Sequence, residues 1–94
     1  MINFGLFSNG LRLDGVDQSF DLDLREVVTA DRAGFHEAWF SEHTGVSGSM
    51  DGSHSVALPA VELLICKAAA LTERIRMGPA VRRIALYPPQ LVAI

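Results

Sequence analysis

An α/β fold on a short parallel sheet is what this 94-residue sequence predicts. Three observations carry the reading. Short apolar runs suited to strands alternate with two stretches of helical period. The connections that follow the helices are short. Those that follow the strands are long and rich in glycine, serine and aspartate. Loops after strands gather at one end of a parallel sheet and carry the site, so this asymmetry has the form of a (β/α) barrel.

Ile2 to Phe7 is the expected first strand, being short and apolar. Ser8 to Ser19 contains Gly10, Gly15 and the loop-formers Asn9, Asp14 and Asp17, and is expected as a loop. A helix is expected from about Asp21 or Leu22, with Leu24, Val27 and Val28 on one face. Asp21 and Asp23 favour its N-terminus. Gly34 stands where a left-handed glycine ends such a helix. Phe35 to Ser41 is the expected second strand.

Thr44 to Leu58 carries Gly45, Gly48 and Gly52 with no apolar period, and is the second expected loop. Pro59 suits the first turn of a helix running to about Thr72. There Val61, Leu64, Ile65, Ala68 and Leu71 form a core-facing stripe. Arg74 to about Val81 is the expected third strand, and Tyr87-Pro88-Pro89 is expected to break any regular element. A complete barrel needs about 250 residues. Three parallel strands with two helices leave an open edge and an uncovered apolar face. The expectation is therefore that residues 1–94 are the N-terminal piece of one barrel domain, incomplete in this chain.

Composition removes several functional classes. A net charge of −3 offers no basic patch, which argues against nucleic acid as a partner. The apolar runs fall well short of the roughly 20 residues of a membrane span. Asn9, Arg12 and Asp14 follow the first run, unlike a secretory signal. The single cysteine, Cys66, excludes an internal disulfide framework and fits a reducing compartment, so a cytoplasmic location is expected.

His43 is the leading catalytic candidate. It follows a buried strand, and its near-neutral pKa suits proton transfer or hydrogen bonding to a charged intermediate. Glu42 beside it points to the opposite side if extended geometry persists. His36 sits at the stability end of the same strand, and His54 lies mid-loop, where it can line a pocket or simply face solvent. The three histidines lack metal-ligand spacing, so no metal is expected. Gly78-Pro79-Ala80-Val81 closes the third strand with small residues. They either let a flat ligand approach the backbone or mark a simple bulge. Arg82 and Arg83 meet an anion or face solvent.

Asp31 falls on the core-facing stripe of the first helix and needs a partner, expected to be an arginine. The 59–72 helix is apolar nearly all round, with Glu62 and Lys67 its only charges. Its outer side is expected to be covered, by a second subunit or by a loop of the same chain.

Four segments together resemble the N-terminal portion of the bacterial luciferase-like family of flavin-dependent monooxygenases. They are Phe4-Gly5-Leu6-Phe7, Ala30-Asp31-Arg32-Ala33-Gly34-Phe35, Trp39-Phe40-Ser41-Glu42-His43 and Leu71-Thr72-Glu73-Arg74-Ile75-Arg76-Met77-Gly78. The match covers essentially the whole chain. The resemblance implies a TIM barrel that binds reduced FMN across its strand tips and uses O2 to oxidise a small organic substrate, with a flavin reductase as possible partner. It also implies His43 as the active-site histidine. Phe7, Glu42, Ala80 and Val81 are implied as cofactor-binding positions, with a non-prolyl cis peptide at Ala80-Val81. The second helix matches the family's dimer interface, and the flavin phosphate site is implied on later strands.

Thr44 departs from the second histidine that many members carry. Other members use a deazaflavin, often with Asp-His at this point, so a deazaflavin-dependent hydride-transfer oxidoreductase is the alternative. A non-catalytic remnant acting through association is the alternative from another class.

Overall fold

The protein's fold is taken from a computed structural model that describes residues 1–8, 16–42, 47–48, 54–55 and 61–93. Strands β1 (Gly5–Ser8), β2 (Glu37–Phe40) and β5 (Arg76–Pro79) form a parallel sheet in the order β1-β2-β5. Helix α1 (Val16–Arg32) connects the first pair and α2 (Val61–Ala69) lies in the second connection. Between β2 and α2, the two-residue strands β3 (Ser47–Gly48) and β4 (His54–Ser55) pair antiparallel, inside the stretch read from sequence as loop.

The parallel pairing is in simple register. Gly5, Glu37 and Arg76 lie across one rung, Leu6, Ala38 and Met77 across the next, and Phe7, Trp39 and Gly78 across the third. Side chains alternate between faces with period two. Leu6, Ala38, Phe40 and Met77 face the helices and join Leu24, Val27 and Ala30 of α1 and Val61, Leu64 and Ala68 of α2 in the core, closed by Ile75. Phe7 and Trp39 lie on the other face, where Phe7 is 58% exposed.

Helix α1 begins at Val16, about one and a half turns before the start expected near Asp21 or Leu22. The physical reason is Phe20, which packs against the core one turn ahead of Leu24 and extends the apolar stripe upstream. Asp21 and Asp23 therefore lie within the helix, not at its start. Asp23 is fully buried and accepts a 2.8 Å hydrogen bond from Ser8 Oγ. The helix ends in a Schellman turn: Gly34 has φ +84°, its N–H bonds to Asp31 O, and Phe35 N–H bonds to Ala30 O. Only a residue without Cβ takes that φ cheaply, so Gly34 fixes where the chain turns into β2.

Three further expectations are corrected. Asp31 is buried, but its partner is not an arginine. Its carboxylate accepts three backbone N–H bonds, from Glu73 (3.0 Å), Arg74 (3.0 Å) and Ile75 (2.8 Å). Leu71 leaves the apolar stripe and is 55% exposed, because α2 stops at Ala69 and the following turn rotates it outward. The Tyr87-Pro88-Pro89 break is local: a 3-10 turn (Ile84–Leu86) precedes it, and Pro89 starts a short helix, α3 (Pro89–Val92), at the position where its missing N–H costs nothing. The outer face of α2, with Leu63, Cys66 and Ala69, is exposed in the described chain.

Two consequences for stability follow. Leu64 is wholly buried, so Leu64→Ala is expected to cost about 2–5 kcal/mol in the intact polypeptide, read by urea denaturation. The N–H bonds from Glu73 and Ile75 hold the Asp31 carboxyl below its ordinary 3.8. A depressed folded value means that Asp31's contribution is complete above pH 3.8 and is lost as pH falls through that lower value. Asp31→Asn is therefore expected to lower the urea midpoint at pH 7, and the gap from wild type is expected to narrow in strong acid.

Candidate active site at the strand tips

The C-terminal ends of the three parallel strands meet at one edge of the sheet. Two backbone bonds continue the ladder past the strands, Ser41 N–H to Ser8 O (3.1 Å) and Ala80 N–H to Phe40 O (2.7 Å). They bring Ser8, Ser41–Glu42 and Ala80–Val81 side by side. The Ala80–Val81 peptide is cis, as the resemblance implied. At this end Ser8, Ser41 and Glu42 are buried polar residues, and Ser8 bonds to the buried Asp23.

Trp39 sets the shape of the open face. Its indole lies over Gly78, where an added Cβ would fall 2.8 Å from Trp39 Cζ3. Such a contact is too close for any side chain, so the glycine reserves the space that the ring fills. Phe7 stands on the same rung and is exposed. Phe7 and Trp39 thus carry apolar side chains on the open face one rung below the tips, and Val81, just past β5, is 70% exposed among the described residues.

Glu42 is only 3% exposed, and both of its carboxylate oxygens are engaged. One carboxylate oxygen accepts the Arg83 backbone N–H at 2.8 Å and the other accepts a hydrogen bond from Tyr87 Oη. Burial alone would push its pKa up. The Tyr87 hydroxyl, the Arg83 N–H and the nearby charges of Arg82 and Arg83 together outweigh burial and leave it below its ordinary value. Tyr87 moves the opposite way, because the Glu42 carboxylate holds its proton and burial adds to the effect. Of the two alternatives offered by the sequence, Arg82 takes the anion, and that anion is a carboxylate of the same chain. It lies 3.0 Å from Glu62 in the first turn of α2, and its guanidinium stacks 4.7 Å from the Tyr87 ring centroid.

The structure therefore brings Phe7, Glu42, Ala80 and Val81 to one end of the sheet. His43 lies outside the described residues. His54 is described only through its backbone in β4, and His36 lies at the opposite end of β2, exposed beside Gly34. Sequence reasoning missed Tyr87, which it read only as part of a break. Its partner is 45 positions away, and no local pattern marks such a pair.

The strand tips of this parallel α/β sheet are the end at which (β/α) barrels carry their sites. The chain belongs to the luciferase-like monooxygenase family, whose model matches residues 3–94. It is 34% identical over 94 residues to the 4-hydroxyprotoasukamycin monooxygenase of Streptomyces nodosus subsp. asukaensis, covering 98% of this chain and 24% of that one.

Among solved structures it is similar to the oxygenating constituent of 3,6-diketocamphane monooxygenase from the CAM plasmid of Pseudomonas putida, a type II Baeyer-Villiger monooxygenase in complex with FMN. The TM-score is 0.80 at 27% identity, covering 99% of this chain and 24% of that one. Apo-MsnO8 gives a TM-score of 0.81 at 27% identity, covering 99% and 27%. The three strands and their helices are thus the N-terminal β-α-β-α-β part of a TIM barrel. The chain spans about a quarter of the length of these relatives.

The contact between Trp39 and Gly78 is open to test. Gly78→Ala is expected to destabilise the intact polypeptide by about 1–3 kcal/mol through overpacking. Most of that loss is expected to be recovered in a Trp39→Leu background, as a double-mutant cycle in urea would read.

Proposed function

We propose that the intact protein is a flavin-dependent monooxygenase that uses reduced FMN and O2 on a small organic substrate. The observation that carries this reading is the likeness, over 99% of the chain, to a monooxygenase structure in complex with FMN. The residues at the tips fit the cofactor's ring. Phe7 and Val81 are exposed and apolar, and the small Ala80 leaves the backbone approachable. The Arg82 guanidinium is engaged by Glu62 and Tyr87, which leaves the phosphate to groups beyond these tips.

Reduced FMN, when bound, supplies the electrons that activate O2. In this reading Phe7, Ala80 and Val81 seat the ring, with Glu42 behind them, and exclude water from one side of it. His43, one residue past Glu42, holds or moves the proton that the oxygen chemistry requires. A flavin reductase supplies the reduced cofactor, and the exposed outer face of α2, around Leu63 and Ala69, pairs two subunits.

Titration of the intact polypeptide with reduced FMN under anaerobic conditions, followed by admission of O2 with candidate substrates, tests the proposal. Binding of reduced FMN and oxygen-dependent product support it. Oxidation of a reduced deazaflavin in its place would favour hydride transfer, and binding of neither would favour a non-catalytic role. His43→Ala is expected to lower turnover about 100-fold or more while leaving FMN binding largely intact.

A further inference from the structure

No residue from Ala80 to Tyr87 is buried in the described chain. Val81, Ile84 and Leu86 are all more than half exposed. Within the described residues the contacts that hold this segment at the tips are therefore chiefly polar. They come from the end of β2. Phe40 O takes the Ala80 N–H, one oxygen of Glu42 takes the Arg83 N–H, and the other takes the Tyr87 hydroxyl.

The two Glu42 bonds fall on either side of the 3-10 turn Ile84–Leu86, so one carboxylate brackets the whole turn. Arg82 extends the bracket: its guanidinium covers the Tyr87 ring and reaches Glu62, joining the same turn to α2. Glu42 itself is 3% exposed with both oxygens engaged, which leaves it poorly placed to touch a ligand directly.

We propose that Glu42 and Tyr87 are a positioning pair: the buried carboxylate sets where the Ala80–Arg83 backbone lies at the tip of β5, and through it the surface on which the flavin ring rests. This inference rests on the flavin reading above. It assigns Glu42 to the backbone beneath the cofactor instead of to the cofactor. Tyr87 matters through its hydroxyl, because its ring is held separately by Arg82.

The test uses Tyr87→Phe, Glu42→Gln and the double variant in the intact polypeptide. Tyr87→Phe keeps the ring over Arg82 and removes only the donor, so the fold is expected to survive. In the flavin-free protein the Arg83 amide is expected to exchange about tenfold faster in each single variant, the scale of a lost hydrogen bond to a charged group. FMN is expected to bind several-fold more weakly to each, with a shifted visible circular dichroism spectrum of the bound flavin. The double variant is expected to be no worse than the weaker single, since both changes break one linkage.

Wild-type exchange at Arg83 together with wild-type FMN affinity in Tyr87→Phe would overturn the pair. Weaker FMN binding in Glu42→Gln alone would also overturn it, by making Glu42 a direct ligand. If wild-type protein takes up no FMN, the flavin reading fails by itself, and the pair then stands or falls on Arg83 exchange.

Discussion

The hydrogen bonding of Asp31 is the constraint on which the rest of the described structure depends. A carboxylate on the core-facing side of a helix is costly to bury unless its lone pairs are filled. Here they are filled by the N–H groups of three consecutive residues, Glu73 to Ile75, immediately before β5. Those N–H groups belong to a turn with no ladder to satisfy them, so each side supplies what the other lacks. The bond set ties the end of α1 to the start of β5 across more than 40 positions. With the entry to β5 fixed, Arg76 meets Glu37, Gly78 meets Trp39, and Ala80 reaches Phe40 at the tips.

The opposite end of the sheet solves the same problem in another way. Glu42 is also a buried carboxylate satisfied across a large sequence separation, with one backbone N–H and one phenol as donors. Asp31 sits at the end of the sheet where barrels conserve stability, and Glu42 at the end where barrel enzymes carry their loops. The strand between them is short, Glu37 to Phe40, so the two ends are coupled through a single β-segment with a wholly buried Ala38 and Phe40. Its other face carries Trp39, whose ring depends on Gly78 having no side chain. Position along the strand and choice of face together assign each residue its task.

Much of this was legible in the sequence because it is local. Gly34 marks the end of α1 through a φ that other residues avoid. The stripe Val61, Leu64 and Ala68 marks the buried side of α2. The strand-loop-helix alternation marks the parallel sheet, since each element declares its own period. The start of α1 was misplaced because Phe20 packs from within a polar stretch whose composition reads as loop. The candidate tip residues Phe7, Glu42, Ala80 and Val81 were legible through the resemblance and through their place at the ends of strands.

The sequence by itself determined the three parallel strands, the two main helices, their order and most of the core stripes, because these depend on neighbours within a few positions. Only the tertiary structure decided who partners whom among the charged and polar groups. Asp31 takes backbone N–H groups and not an arginine, Arg82 is shared between Glu62 and Tyr87, and Glu42 closes on Tyr87. Each of those pairings with Asp31 or Glu42 spans more than 40 residues. The reason is that hydrogen-bond donors are common along a chain. Burial selects which of them meet a given acceptor, and burial exists only once the sheet and helices have packed.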